Sequence, residues 1–264
     1  MDDDYGASYR ALFERHWWWR ARERVILRAL ETHRPASGWK NVLDVGCGDG
    51  LFFDRLAELD GVELVEGVEP AAALVSANGP HRAQIHVVPF DASFEPGRRY
   101  SLVLMLDVLE HLEDPVGALR HALSLLDAEG VFVATVPAFM ALWTQHDELN
   151  HHFTRYDKVS FAALAAAAGL RVVESRYFFR WTAAAKLVAR VREALLPTSP
   201  ALPKVPAAPI NRALYLMSRL EEKLVGGVGL PFGSSLLVVG RTRAVVLNCG
   251  EETVLAGRSK IAEP

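Results

Sequence analysis

Three glycines spaced two apart, Gly46, Gly48 and Gly50, interrupt the chain directly after the run Val42-Leu43-Asp44-Val45. Glycine in such a place lets the backbone turn sharply and lets a ligand lie against bare main chain. Leu51, Phe52, Phe53, Leu56 and Leu59 follow and predict a helix over 50–59 that begins at the third glycine. A strand, a glycine turn and a helix N-terminus together make a nucleotide site at the carboxyl edge of a parallel sheet. The dinucleotide pattern G-x-G-x-x-G would need glycine where this chain has Leu51. Glu69, 19 residues after Gly50, ends the next strand, where a carboxylate can accept hydrogen bonds from both ribose hydroxyls. It can equally serve as a helix N-terminal charge beside Pro70.

A second group of residues is suited to proton transfer. His111 follows the apolar run that ends at Leu106, and His146 and His152 stand further on. An imidazole at the rim of a cleft can accept a proton from a substrate hydroxyl. For His111 the alternative is a histidine that holds the start of a helix in shape. For His146, His152, Arg155 and Tyr156 the alternative is a polar network that holds a loop.

These residues need elements to position them. The periodicity predicts a helix over 8–34 and strands at 41–46, 62–68 and 85–88, with a short alanine-rich helix after Pro70. Tyr100 to Leu106 is a nearly unbroken apolar run, as in a strand buried on both faces. Pro115 opens a helix that reaches about Leu126, and Ala128-Glu129-Gly130 turns into a strand from Val131 to Val136. The alternation gives an α/β class: a Rossmann-like, doubly wound, mostly parallel seven-stranded sheet with helices on both faces. It breaks after Pro137, resumes with a helix at 158–168 and a strand from Leu170 to Phe179, and is interrupted again over 181–232. That interval is proline-rich and contains an amphipathic helix with Ile210, Leu214, Met217, Leu220 and Leu224 on one face. Ser234 to Gly240 reads as the last strand. The domain reading is therefore an N-terminal helical cap (1–38), a core (39–180), a helical lid inserted before the last strand (181–232), that strand (233–243) and a tail (244–264).

Composition bounds the function. Half of the 264 residues are hydrophobic and the net charge is −3, so a sizeable core can form and nothing points to nucleic acid. Cys47 and Cys249 do not form a disulfide framework, and the acidic start Met-Asp-Asp-Asp-Tyr is no signal peptide, which together fit a reducing, cytoplasmic setting. No apolar stretch is long enough to span a bilayer. No Cys/His spacing suggests zinc, so no metal is expected. A monomer or homodimer acting on a small-molecule acceptor is expected. Peripheral membrane contact by 181–232 is the less favoured reading, and a buried lid or dimer contact the better one.

Asp44-Val45-Gly46-Cys47-Gly48-Asp49-Gly50 resembles motif I of the class I S-adenosylmethionine-dependent methyltransferases. Leu106-Asp107-Val108-Leu109-Glu110-His111-Leu112-Glu113-Asp114-Pro115 resembles the segment after the fourth strand in the small-molecule enzymes of the ubiquinone-biosynthesis type. The likeness covers about 16–180 and returns at 231–241. It implies S-adenosylmethionine as cofactor and S-adenosylhomocysteine as product. It implies cofactor contacts from Asp44, Gly46, Cys47, Gly48, Gly50, Glu69 and Pro70, from Asp91 and Ala92 at the adenine, and from Leu106, Asp107 and Val108 at the methionine part. Asp91 can instead simply make its own turn. Trp18 and Trp19 could wall the sulfonium pocket, with Arg22 at the cofactor carboxylate, or the tryptophans could pack on the sheet. His146, His152, Arg155 and Tyr156 fall in a His…His…Arg-Tyr segment that many relatives share, although Thr154 stands where a second arginine is usual. The implied reaction is methyl transfer to a small, hydrophobic or lipid-like acceptor, with oxygen favoured over nitrogen or carbon, and with His111, His146 and His152 as candidate bases. Two other classes stay open: a cofactor-binding interaction protein without catalysis, and an NAD-dependent oxidoreductase, disfavoured by Leu51 and by the lack of a Tyr-x-x-x-Lys pattern.

Overall fold

A computed structural model describes residues 3–196 and 203–242. Its centre is a seven-stranded sheet in the order β3-β2-β1-β4-β5-β7-β6. The strands β1 (Asn41–Val45), β2 (Leu64–Val68), β3 (Ile85–His86), β4 (Tyr100–Leu106) and β5 (Leu126–Pro137) run parallel. The last strand, β7 (Ser235–Thr242), inserts antiparallel between β5 and β6 (Leu170–Phe178). All five parallel strands therefore present their carboxyl ends to one edge, where the glycine turn lies.

The helices cover both faces. In β4, Leu102 and Leu104 face one core with α2 (Trp17–His33), while Val103 and Met105 face the other with α4 (Pro115–Ser124) and α6 (Lys158–Ala168). The side-chain period of two thus persists inside an unbroken apolar run. Asp114 caps α4 by accepting from the Gly117 N–H at 2.8 Å, and Asp157 with Ser160 forms a capping box on α6.

Several elements differ from expectation. The helix expected over 8–34 is two, α1 (Asp3–Arg15) and α2, broken at His16, whose Nδ1 accepts from the Trp18 N–H at 3.1 Å. A histidine acting as N-cap leaves no gap in the aromatic pattern, so the break is silent in the sequence. The helix after the glycines, α3, is only Phe53–Ala57, because all three glycines hold positive φ and the chain winds as turns through Leu51. The alanine-rich helix after Pro70 is a single 3₁₀ turn, Ala72–Leu74. The turn expected at 128–130 lies inside β5 as an irregularity: Tyr100 pairs with Leu126, but Leu102 pairs with Val131.

The interval 181–232 carries two long helices, not one: α7 (Arg180–Leu195) and α8 (Ala208–Val225). They are anchored by polar contacts. The Arg180 and Trp181 N–H groups donate to the Glu221 carboxylate, and Glu222 pairs with Arg24 of α2 at 2.6 Å. Trp181, Leu214 and Tyr215 pack against the core of α2, while Leu187, Val188, Val191 and Leu195 of α7, and Leu216, Leu220 and Leu224 of α8, are exposed. None of the described helices is long and apolar enough to cross a membrane. The tail expectation for 244–264, with Cys249, lies outside the described residues.

Candidate functional site

The site is a cleft of about 960 Å³ over the carboxyl edge of the parallel strands. After β1 the Gly46 and Cys47 N–H groups donate to Val68 O of β2, at 2.8 and 3.3 Å, which turns the chain back toward β2. Gly46 (φ 74°) is needed for packing, since a Cβ there would lie 2.6 Å from Val108 Cγ2. At Gly48 (φ 54°) a Cβ would meet no heavy atom within 4 Å, so its bare main chain faces open cleft. Glu69, at the end of β2, accepts from the Gly48 N–H at 3.0 Å and the Ala71 N–H at 2.9 Å. Burial pushes its carboxyl above the usual range, with those two N–H groups opposing.

Asp107 follows β4 in the left-handed region (φ 56°), and its N–H donates to Thr135 O of β5 at 2.8 Å. Its carboxylate meets the Arg22 guanidinium at 2.7 Å, and Arg22 also donates to Thr135 Oγ1 at 3.2 Å. Arg22 lies 5.5 Å from the Trp18 ring, and Trp18 and Trp19 both line the cleft. The arginine predicted to meet a cofactor carboxylate is thus already paired to β4, and it places α2 as the cleft wall.

At the other end of the cleft the loop 138–157 folds around one carboxylate. Asp147 of α5 (Gln145–Leu149) is buried and accepts from Arg155 Nε and Nη2, both at 2.8 Å, and from the Thr144 N–H at 2.9 Å. Its second shared partner is His152, whose Nδ1 lies 2.9 Å from Oδ1. Burial alone would raise the Asp147 carboxyl, but His152 and Arg155 hold it well below the usual range. An ionised carboxylate only accepts, so His152 Nδ1 carries a proton and donates it to Asp147, which leaves Nε2 as the ring nitrogen not engaged by that carboxylate. The His152 ring meets His111 edge-on, with centroids 4.5 Å apart. Burial and the neighbouring His152 lower the His111 pKa to about 4, so it is neutral at pH 7. Glu110 is fully buried and neither carboxylate oxygen has a hydrogen-bond partner among the described residues; burial and nearby Asp107 raise its pKa. Glu110, His111 and His152 bring one donor atom each within 4.8 Å of one another, an O/N/N set of a kind that a divalent cation accepts. No spacing in the sequence pointed to this group, because His152 reaches it from a loop 41 residues beyond His111.

Of the predicted site residues, Gly46, Cys47, Gly48, Glu69, Pro70, Leu106, Asp107, Val108, Trp19, Arg22, His111, His146, His152 and Arg155 line the cleft. Five do not. Asp44 is buried behind the turn, and burial raises its carboxyl to about 7 against the pull of Arg22. A Cβ on Gly50 would meet His81 and Phe53 at 3.0–3.3 Å, so Gly50 serves packing. Asp91 and Ala92 are exposed, and Asp91 accepts from the Ser93 N–H at 2.8 Å and the Ser93 hydroxyl at 2.6 Å, which is the turn alternative. Tyr156 is buried, its hydroxyl on Leu109 O at 3.4 Å and its ring on Phe161, so it supports the loop from behind. Tyr9, Arg10, Asp49, Glu110 and Lys186 line the cleft without having been singled out by the residue pattern. Asp49 lies within the glycine turn and pairs with Arg10, which ties α1 over the cofactor end.

Comparison with known proteins agrees with this geometry. Ubiquinone biosynthesis O-methyltransferase of Ruegeria pomeroyi is 31% identical over 112 residues, a match spanning 41% of this chain and 45% of that one. The chain therefore matches less than half the length of such relatives. Among solved structures, the methyltransferase bound to the Haloferax volcanii Trm112 activator superposes with a TM-score of 0.57 at 19% identity, covering 91% of this chain and 95% of that one. The N-methyltransferase NodS of Bradyrhizobium japonicum, solved with S-adenosyl-L-homocysteine, gives 0.52 at 14% identity, covering 88% and 90%. Both show a shared fold. Residues 15–175 match the methyltransferase-domain family, and since this is more than half of the chain, the protein belongs to that family.

Proposed function

We propose that the protein transfers a methyl group from S-adenosylmethionine to a hydroxyl of a small, largely apolar acceptor. The observation that carries this reading is His152, held from behind by buried Asp147, on the same cleft as the open Gly48 main chain and Glu69. A cleft of about 960 Å³ lies at the upper end of ordinary ligand pockets and has room for a cofactor beside an acceptor. The cofactor end is supplied by the Gly46–Gly48 main chain, Glu69, Pro70, Leu106 to Val108, Trp19 and Arg22. When bound there, the cofactor supplies a sulfonium methyl, an electrophile that needs no further activation. The chain's own work is then alignment, exclusion of water and removal of the hydroxyl proton. His152 suits the last role. Asp147 fixes its ring and its tautomer and stabilises the imidazolium that forms on taking up a proton. His111, neutral and packed edge-on, sets the position of that ring and offers the alternative base.

The test is a pair of variants, His152→Gln and His111→Gln, assayed for S-adenosylhomocysteine release against a panel of lipid-soluble phenols, with product affinity measured by calorimetry. Loss of a general base lowers turnover by about 10²–10⁴-fold. The expected result is that loss in His152→Gln with product affinity within about twofold of wild type. Wild-type turnover in both variants removes the base assignment. Calorimetric binding of NAD in place of S-adenosylhomocysteine removes the reading altogether.

A further inference from the structure

We propose that Lys186 is an anion-binding subsite of the cleft, which takes a carboxylate or phosphate carried by the acceptor. The inference rests on the cleft being the acceptor site, as proposed above, and adds the chemical class of that acceptor.

The argument begins with where α7 points its residues. Leu187, Val188 and Val191 of that helix face outward, while Lys186 lines the cleft near His146 and Arg155. A lysine on the inner side of a helix whose outer side is apolar reverses the usual arrangement. Lys186 has no hydrogen-bond or ion-pair partner among the described residues. The acids that act on it through space are Asp147, Asp107 and Glu193. Asp147 is held by Arg155 and His152 and Asp107 by Arg22, while Glu193 accepts from the Gln145 N–H at 3.0 Å and acts on Lys186 only through space. Arg155 and His146 are the other groups of the cleft wall near it, and neither brings negative charge. The Arg155 guanidinium is turned to Asp147 and Ala138 O. What remains is a lysine with no direct partner on the wall of the cleft, where its desolvation lowers its pKa to about 8. An anion from outside the chain is the partner this arrangement lacks, and a charge-assisted bond made there is stronger than in water.

The family match ends at residue 175, and α7 begins at Arg180. Lys186 therefore lies beyond the residues that match the family model.

The experiment measures binding of dodecanoate, dodecyl phosphate and the neutral control dodecanol by quenching of tryptophan fluorescence, without cofactor. It uses the full chain as wild type, Lys186→Gln and Lys186→Arg. At least one anionic probe should bind wild type, bind Lys186→Gln about 10–100-fold more weakly, and recover in Lys186→Arg. Dodecanol should bind all three alike. The carboxylate and phosphate arms distinguish the two sources of negative charge. Equal binding of both anions by wild type and Lys186→Gln, or no anion binding by wild type, overturns the proposal. S-adenosylhomocysteine affinity, measured separately on the same samples, should be unchanged by either substitution. Its absence from wild type would sink the methyltransferase reading without touching the anion result.

Discussion

Replacing Asp147 by asparagine isolates the feature on which the acceptor end depends. The wild-type carboxylate holds the Arg155 side chain, which is 1% exposed, through two bonds of 2.8 Å, and also orients His152. Asparagine keeps the shape but removes the charge and turns an NH₂ toward a donor. A buried arginine left without its counter-ion costs about 3–5 kcal/mol. A chain of this size loses roughly 2–4 °C of Tm per kcal/mol, so the melting temperature should fall by roughly 6–20 °C. The pH dependence follows from the sign of the shift. The folded carboxyl titrates well below its unfolded value of 3.8, so its contribution is fully present above that value and disappears as the pH falls through the folded one. The difference between wild type and Asp147→Asn should therefore be flat from pH 5 to 8 and shrink below about pH 4. Scanning calorimetry at five pH values between 3 and 8 tests both statements. A cycle with Arg155→Gln separates the pair from its surroundings, since the double variant should cost little more than either single one. A Tm within about 2 °C of wild type at pH 7 would mean that Arg155 reaches water and that the loop is not pinned by this pair.

Two further perturbations bear on the cofactor end. Gly48→Ala should lower S-adenosylhomocysteine affinity at least tenfold, because the added methyl enters open cleft, while left-handed strain costs only about 1–2 kcal/mol. Gly46→Ala adds a 2.6 Å clash with Val108 and should lose more stability in a thermal melt; equal melts would refute the packing role. Asp44→Asn should gain stability over wild type as the pH rises from 3.8 to about 7, because over that range the unfolded wild-type carboxyl ionises while the folded one stays neutral, a loss on the order of 4 kcal/mol. The stabilisation from neutral Asp44 is complete below 3.8 and lost through pH 7, so denaturant midpoints that stay parallel between pH 5 and 8 would count against it.

Periodicity revealed the sheet because its central strands are buried on both faces. Tyr100–Leu106 could be read as a strand from its composition alone, and Pro115 announced the start of α4. The pattern failed where side chains serve something other than the core. His16 ends one helix and starts another through its imidazole, amid aromatics that look continuous. The helix α7 was invisible because beyond Trp181, which packs against the α2 core, its large apolar residues Leu187, Val188, Val191 and Leu195 are exposed, so its core-facing stripe is too short to detect. Ile85–His86 is shorter than the run Ile85 to Val88 suggests, since Val88 is exposed and has no neighbouring strand to pair with.

Site residues divide along the same line. Those on the main-chain path of the glycine turn and the strand ends were legible, because a parallel sheet sends every strand end to one edge whatever the side chains are. Glu69, Asp107 and His111 reached the cleft by that rule. Asp91 did not, because its own Ser93 satisfies it two residues on, a local competition that the position at a strand end cannot reveal. Glu110 and Lys186 went unseen for a different reason. Each is informative only through the partner it lacks, and a missing partner is a three-dimensional fact: neighbours in sequence do not say whether Asp147 answers to Lys186 or to Arg155. The geometry answers for Arg155, with both of its 2.8 Å bonds to that carboxylate, and so leaves the lysine's charge for a ligand.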